Sequence, residues 1–395
     1  MQASTGDALI GVINAGSSSL KFTVYGDERR IISGQVGGIG TRLAVSALQA
    51  DGKPLDPPDF GLKPPSTPSG VLPELLPWAK KALGGRLLSA LGHRVVHGGV
   101  RHSRPQRVTP ELLDELERLI PLAPLHEPHN LAPIRSVLDL NPNLLQVASF
   151  DTAFHRTAPE VAQAFALPRD LYEEGIRRFG FHGLSYEYIA SVLPERAPEI
   201  AHGRVIVAHL GNGASLCALN GCKSIASTMG FSVLDGLPMG TRCGQLDAGV
   251  ILHLMQHKGM SVAAVEELLY QQSGVLGLSG ISSDFRDLLA SNDARARFAV
   301  EVFCYQAVRH IGSLTAALGG LDGIVFTAGV GENAAAVRAA ICQGCRWLGL
   351  ELDDAANHRH GPRISVPGSP VAAYVIATDE NLMIARHTRA LSQAG

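Results

Sequence analysis

The stretch ALIGVINAGSSSLKFTVY, residues 8–25, reads as an apolar strand, a turn of small polar residues and a second strand. RVIVAHLGNGASLCALN, residues 204–220, reads the same way. With Ser19-Leu20 set against Ser215-Leu216, 196 positions later, Ile13 falls on His209 and Ala15 on Gly211. That offset is about half of the 395 residues. We therefore expect two similar lobes, each opening with a β-hairpin whose turn faces a shared cleft. Around the hairpins, strands such as ALGHRVVHGG, LLQVASF, GIVFTAG and VAAYVIAT alternate with helices, a pattern of α/β proteins. Thr109 and Pro110 start one helix, Ser261 caps another, and a further one spans about residues 129–138. Residues 293–318 read as a long buried helix, with Phe298, Val302, Tyr305, Val308 and Ile311 recurring at three- and four-residue spacing. DENLMIARHT reads as a short final helix.

Composition narrows the function classes. Apolar residues make up 46% and charged ones 18%, which fits a globular domain and excludes a disordered, collagenous or coiled-coil chain. No window of 18 apolar residues would cross a membrane. The opening MQASTGDALI has no basic cluster and does not read as a signal peptide, so a cytoplasmic location is expected. A net charge of -2 gives no broad nucleic-acid surface. Six cysteines are too few for a disulfide framework. Cys342 and Cys345 form a C-x-x-C inside a helix, with no second pair to complete a zinc site.

Three glycine turns could admit an anion: Asn14 to Ser19, Gly211 to Gly213, and Gly329 to Asn333, the last between a strand and a helix. None is a Walker loop, and each alone could be an ordinary turn. Arg94 lies within a strand and Arg242 within MGTRCG, where a guanidinium serves either phosphoryl transfer or a structural ion pair. Asp151 closes a strand, and Glu380 sits at a strand-to-helix junction where it could bind Mg²⁺; Asp379 beside it suits an N-cap. His182 and His126, in glycine- and proline-rich loops, could bond an anion or serve structure. No G-x-S-x-G or H-E-x-x-H occurs, which disfavours covalent hydrolase and zincin chemistry.

Ten blocks in order, INAGSSSLKF, GHRVVHGG, APLHEPHN, SFDTAFH, RRFGFHG, HLGNGASL, MGTRCG, GLSGISSDFRD, FTAGVGEN and TDENLMIAR, resemble the acetate kinase family of the sugar kinase/heat-shock/actin superfamily. The resemblance implies two ribonuclease-H-like domains with the active site between them, residues 1–150 completed by a helix at 383–395, and residues 151–382. It implies reversible transfer of the ATP γ-phosphoryl group to acetate, giving acetyl phosphate and ADP, with Mg²⁺ (or Mn²⁺ in its place) and a homodimer. Propionate kinase and a non-catalytic nucleotide-binding scaffold are the alternatives.

On the family pattern Asn14, Arg94, His182, Arg242 and Asp151 are catalytic, with His126 supporting the transition state, and Asn14 and Glu380 hold the metal. Arg94, Val96, Leu125, Phe181 and Val233 line the carboxylate pocket. Lys21, Ser17, Ser19, His209, Leu210, Gly211, Asn212, Gly213, Asp284, Phe285, Arg286, Gly329, Val330, Gly331, Glu332 and Asn333 bind nucleotide. Five residues depart from that pattern: Glu127 replaces an Asn, Leu184 a Thr, Tyr186 a His, Val233 a Pro, and Gln245 an Asp. An ionised Glu127 pointing into the site would repel the substrates, so it is expected to face solvent or pair with an arginine.

Overall fold

The computed structural model describes residues 8–61, 65–124 and 126–394. One compact unit runs to Ala153 and regains the chain from Asp379; the other spans Phe154–Thr378. The first sheet contains Leu9–Ala15 (β1), Ser19–Gly26 (β2), Arg29–Gly37 (β3), Ala44–Gln49 (β4), Ala90–Val95 (β5), Gln106–Arg107 (β6) and Leu145–Phe150 (β7). Its helices are Leu72–Ala82 (α1), Pro110–Glu117 (α2) and Glu127–Leu140 (α3).

The second sheet contains Arg204–Leu210 (β8), Ala214–Asn220 (β9), Lys223–Ser227 (β10), Gly323–Thr327 (β11) and Ala372–Val375 (β12). Its main helices are Gly183–Arg196 (α4), Ala248–Gln256 (α5), Val262–Gln271 (α6), Phe285–Ala290 (α7), Ala294–Leu318 (α8), Ala328–Asn333 (α9) and Ala335–Gly344 (α10). Glu380–Gln393 (α11) returns to the first unit, and it is longer than the short helix expected.

Both hairpins form. β1 pairs antiparallel with β2, Ala15 opposite Leu20, and β8 pairs antiparallel with β9, Leu210 opposite Ala214. The sheet orders are β4-β3-β2-β1-β5-β7-β6 and β10-β9-β8-β11-β12. Apart from the edge strands β4 and β6, both are a three-stranded antiparallel meander extended by two parallel strands from its first strand. The half-chain repeat is thus a repeat of topology. β1 and β8 read as unbroken apolar runs because each is a central strand, buried along nearly its whole length.

The capping signals hold. Thr109 accepts from the Leu112 amide at 3.2 Å, Ser261 from that of Ala264 at 3.2 Å, and Asp379 from that of Leu382 at 2.9 Å. Two expectations need correction. α3 begins at Glu127, two residues before the expected start, because Pro128 is tolerated in a first turn. The α8 stripe of larger side chains is not wholly buried: Phe298 is 55% and Tyr305 65% exposed. The face turned inward carries Ala296, Ala299, Phe303, Ala307 and Ile311, whose small residues allow close approach to the sheet. Cys342 and Cys345 are both buried, and burial raises both thiols, that of Cys345 to about 12.

α11 crosses β5, β1 and β7 with Ile384, Ala385 and Thr388 buried beneath it. The contact needs Gly92 of β5: a Cβ there would lie 2.6 Å from Ile384 Cγ2 and closer still to Thr388 Oγ1. Gly92→Ala is expected to lift α11 and destabilise the protein by about 1–3 kcal/mol, the usual cost of overpacking. Thermal denaturation of the two proteins checks this.

Candidate active site

In the first unit β1, β5 and β7 run parallel to one another and end at a common edge, where open α/β sheets place functional groups. Asn14 and Arg94 lie at the ends of β1 and β5, and Asp151 follows β7. The register sets Val95 beside Phe150, and the Asp151 amide donates to the Val95 carbonyl at 3.0 Å. Arg94 Nε then donates to both Asp151 oxygens at 3.1 Å, and Nη2 to Oδ2 at 2.6 Å. Asp151 is buried, while the Arg94 side chain keeps about a quarter of its surface. Burial works against the guanidinium charge, but Asp151 and Glu380 outweigh it and hold Arg94 more firmly protonated than usual. Arg94 is thus held in an ion pair while part of its side chain stays exposed. Its Nη1 has no hydrogen-bond partner among the described residues.

Arg94 lines a cavity of about 320 Å³ together with Asn14, Ser17, Ser19, Lys21, Val96 and His126. Glu380 opens α11 in the same unit. Its carboxylate and the Asn14 side-chain amide make no hydrogen bond among the described residues. One carboxylate and one amide oxygen are hard donors suited to Mg²⁺, which takes few protein ligands and completes its shell with water and phosphate.

Two buried residues of this region were not singled out in the sequence. Asn130 donates to the Ala15 carbonyl at 2.8 Å and accepts from the Val96 amide at 3.0 Å, tying the end of β1 to that of β5. Thr152 accepts from the Gly98 amide at 3.0 Å. The signal for Asn130 was its place in APLHEPHN, one turn into a helix. Glu127 contradicts expectation: it is fully buried and pairs with no arginine among the described residues. Its Oε2 accepts from the His97 amide at 3.2 Å, and its Oε1 has no partner among the described residues. Burial pushes its acid up to about 8; the His97 amide pulls against the rise and the Asp151 charge adds to it.

In the second unit His182 is the N-cap of α4 with φ 57°, a left-handed conformation that is strained for a non-glycine residue. Its Nδ1 is 2.8 Å from Ser215 Oγ, and its ring stacks on His209 with centroids 4.3 Å apart. His209, at the end of β8, bonds Ser185 through Nδ1 at 2.8 Å. Tyr186, two residues past the departure at Leu184, also reaches Ser215 Oγ with its hydroxyl. Arg242 donates from Nη1 to the Val233 carbonyl at 2.8 Å. A Cβ on Gly213 would lie 3.0 Å from Arg242 Nη2 and 3.1 Å from His182 Nε2, so the glycine leaves open the point where the two side-chain tips converge.

Beside this point a cavity of about 670 Å³ is lined by Gly211, Asn212, Phe285, Gly329, Val330 and Asn333, with Asp284 and Arg286 at its rim. Arg286 binds both oxygens of Asp284, whose acid this pairing lowers to about 2. The expected third glycine turn is itself the short helix α9, and other members of the expected nucleotide set shape it. Glu332 accepts from the Ala328 amide at 2.8 Å, Asn333 donates to the Gly329 carbonyl at 2.9 Å, and Gly331 offers its carbonyl to buried Arg338. Leu210 is buried. Of the residues expected to line the carboxylate pocket, Arg94 and Val96 belong to the first unit, buried Phe181 and Val233 to the second, and Leu125 lies outside the described residues.

Residues 9–386 match the Acetokinase family. The acetate kinase of Rhodopseudomonas palustris strain TIE-1 is 50% identical over 393 residues, 97% of this chain and 98% of that protein. That of Rhizobium meliloti is 52% identical over 392 residues, 98% and 99% of the two chains. Among solved structures, a propionate kinase from Francisella tularensis has a TM-score of 0.90 at 35% identity, covering 97% of this chain and 99% of its own. An acetate kinase from Porphyromonas gingivalis has a TM-score of 0.86 at 35% identity with the same coverage. In sequence across nearly its whole length, and in the two-domain, actin-like fold it shares with these kinases, the chain belongs to the acetokinase family.

Proposed function

We propose that this protein is an acetate kinase, passing the γ-phosphoryl group of ATP to acetate by direct in-line transfer and running equally in reverse. The observation that carries the reading is Arg94, a guanidinium clamped by Asp151 along one edge and lining a small polar cavity with Asn14 and His126. A carboxylate is already a nucleophile, so the protein has only to align it and offset charge on the moving phosphoryl group.

In this reading Arg94 and Val96 orient the acetate and His126 donates to it. Arg242 and His182 meet the charge that builds on the phosphoryl oxygens, with His182 held in place by Ser215 and by stacking on His209. Gly211, Asn212 and the Gly329–Asn333 loop hold ATP. Asn14 and Glu380 would hold Mg²⁺, which when bound neutralises phosphate charge. Val233, where the family has proline, gives the pocket a softer wall, and propionate is expected as a second, poorer substrate, since one methylene is worth about 1–3 kcal/mol of discrimination.

Acyl phosphate trapped with hydroxylamine, from formate, acetate, propionate and butyrate with Mg²⁺ and ATP, tests the reading. An optimum at acetate is expected; protein that binds ADP yet acts on none of the four acids would leave the scaffold alternative. Arg242→Ala is expected to lower kcat by about 10²-fold or more, roughly 3 kcal/mol. Arg94→Ala carries the further cost of leaving Asp151 buried without its partner, about 3–5 kcal/mol of stability, read as a lower Tm.

We further propose that the second unit pairs with a second copy of the chain. α5 has the sequence AGVILHLMQ and buries none of its residues, Leu252 being 55% exposed, and α8 presents Phe298 and Tyr305 outward. Apolar helix faces of this kind mark an association surface. Sedimentation is expected to show twice the chain mass of 41.7 kDa, and Leu252→Glu with Phe298→Glu to return it toward a single chain.

A further inference from the structure

Glu127 and Asn130 lie one turn apart at the start of α3 and do parallel jobs. Asn130 accepts from the amide of Val96 and Glu127 from that of His97, two consecutive residues just past β5. Val96, Asn130 and His126 line the smaller cavity, so the first turn of α3 shapes the wall against which the carboxylate is read. An amide oxygen and the carbonyl oxygen of a neutral acid accept such a bond equally well. An ionised carboxylate here would be fully buried, with one amide donor and an Oε1 lacking any partner among the described residues. Burying a charge so poorly compensated is costly.

The charged and titratable groups facing it do not supply the missing compensation. Asp151, past β7, is an acid, and Arg94, at the end of β5, is committed to that acid by three hydrogen bonds. His97 offers Glu127 its backbone amide, while its ring Nδ1 accepts from the Gly99 amide. His126 and His129 flank it in the chain, and no lysine or arginine hydrogen-bonds it among the described residues. The start of α3 favours negative charge, but it leaves Oε1 without a donor among the described residues.

We propose that Glu127 is a positioning residue for the carboxylate end of the site that works as the neutral acid, and that its ionisation places a negative charge behind the Val96–His126 wall and weakens binding of the carboxylate substrate. The proposal rests on the acetate kinase reading above. With the acid titrating at about 8, the loss sets in on the alkaline side of neutrality.

KM for acetate, KM for ATP and kcat, measured from pH 6.5 to 9.5 for the natural protein, Glu127→Gln and Glu127→Asn, test it. In the natural protein KM for acetate is expected to rise about ten-fold between pH 7 and 9, with KM for ATP and kcat level, and either amide variant to flatten the rise. A merely structural glutamate would not separate the two KM values. A level acetate KM in the natural protein, or the same rise in both variants, overturns the proposal while leaving the kinase reading intact. No turnover with any acid at any pH overturns the kinase reading and the proposal with it.

Stability gives a readout free of activity. The unfolded acid ionises near 4.5 and the folded one near 8, so the native state binds the extra proton and loses stability as pH rises between those values. The Tm advantage of Glu127→Gln is expected to widen from pH 5 to pH 8; a gap independent of pH overturns the proposal.

Discussion

The ion pair between Arg94 and Asp151 is the constraint around which the strand ends of the first unit are arranged. A guanidinium at the end of a central parallel strand has little water around it, and it stays charged there only beside a fixed counter-charge. The register of β5 against β7 delivers that counter-charge from the adjacent strand end, and the amide of Asp151 is itself tied to the backbone of Val95. Glu380 adds a second carboxylate from the start of α11, a helix whose approach depends on the bare backbone at Gly92. Three segments far apart in sequence are thus fixed by one cation. An uncharged residue at Arg94 would leave both acids without that cation.

The second unit repeats the topology and uses its strand ends differently. Where β1 ends in Asn14, β8 ends in His209 and Leu210, and the turn after it is three residues rich in glycine. His209 serves as the platform for the ring of His182, which pays a left-handed backbone to present Nε2 beside Arg242. Ser215, at the start of β9, ties His182 and Tyr186 together. Tyr186 occupies a position where the family motif has histidine, and its hydroxyl reaches Ser215 Oγ on β9.

Much of this was legible in the sequence because it rests on local rules. The paired hairpins follow from apolar runs broken by small polar turns, and the caps at Thr109, Ser261 and Asp379 from side-chain chemistry. What escaped depends on three-dimensional neighbours. α8 offers two apolar faces of comparable appeal, and its alanines won the sheet because they pack closer, which periodicity cannot show. Asn130 looks like any polar residue in a first turn until the ends of β1 and β5 are seen on either side of it. Glu127 was misjudged for the opposite reason: charge argued for solvent, whereas the protein buries it by giving up the charge.

The hydrogen bonding of Asp151 also bears on the choice of acceptor. An alcohol must lose a proton as it attacks phosphorus, and an enzyme acting on one needs a carboxylate with a lone pair free to take it. Here Oδ1 accepts from Nε of Arg94 and Oδ2 from both Nε and Nη2, which engages both carboxylate oxygens with the guanidinium. The other buried acid nearby, Glu127, is held neutral at moderate pH and cannot serve as a base in that state. A site furnished with cations and small polar groups, whose buried acids Asp151 and Glu127 are tied to Arg94 and held neutral respectively, suits an acceptor that arrives already ionised. A short-chain carboxylate meets that condition, and a sugar hydroxyl does not.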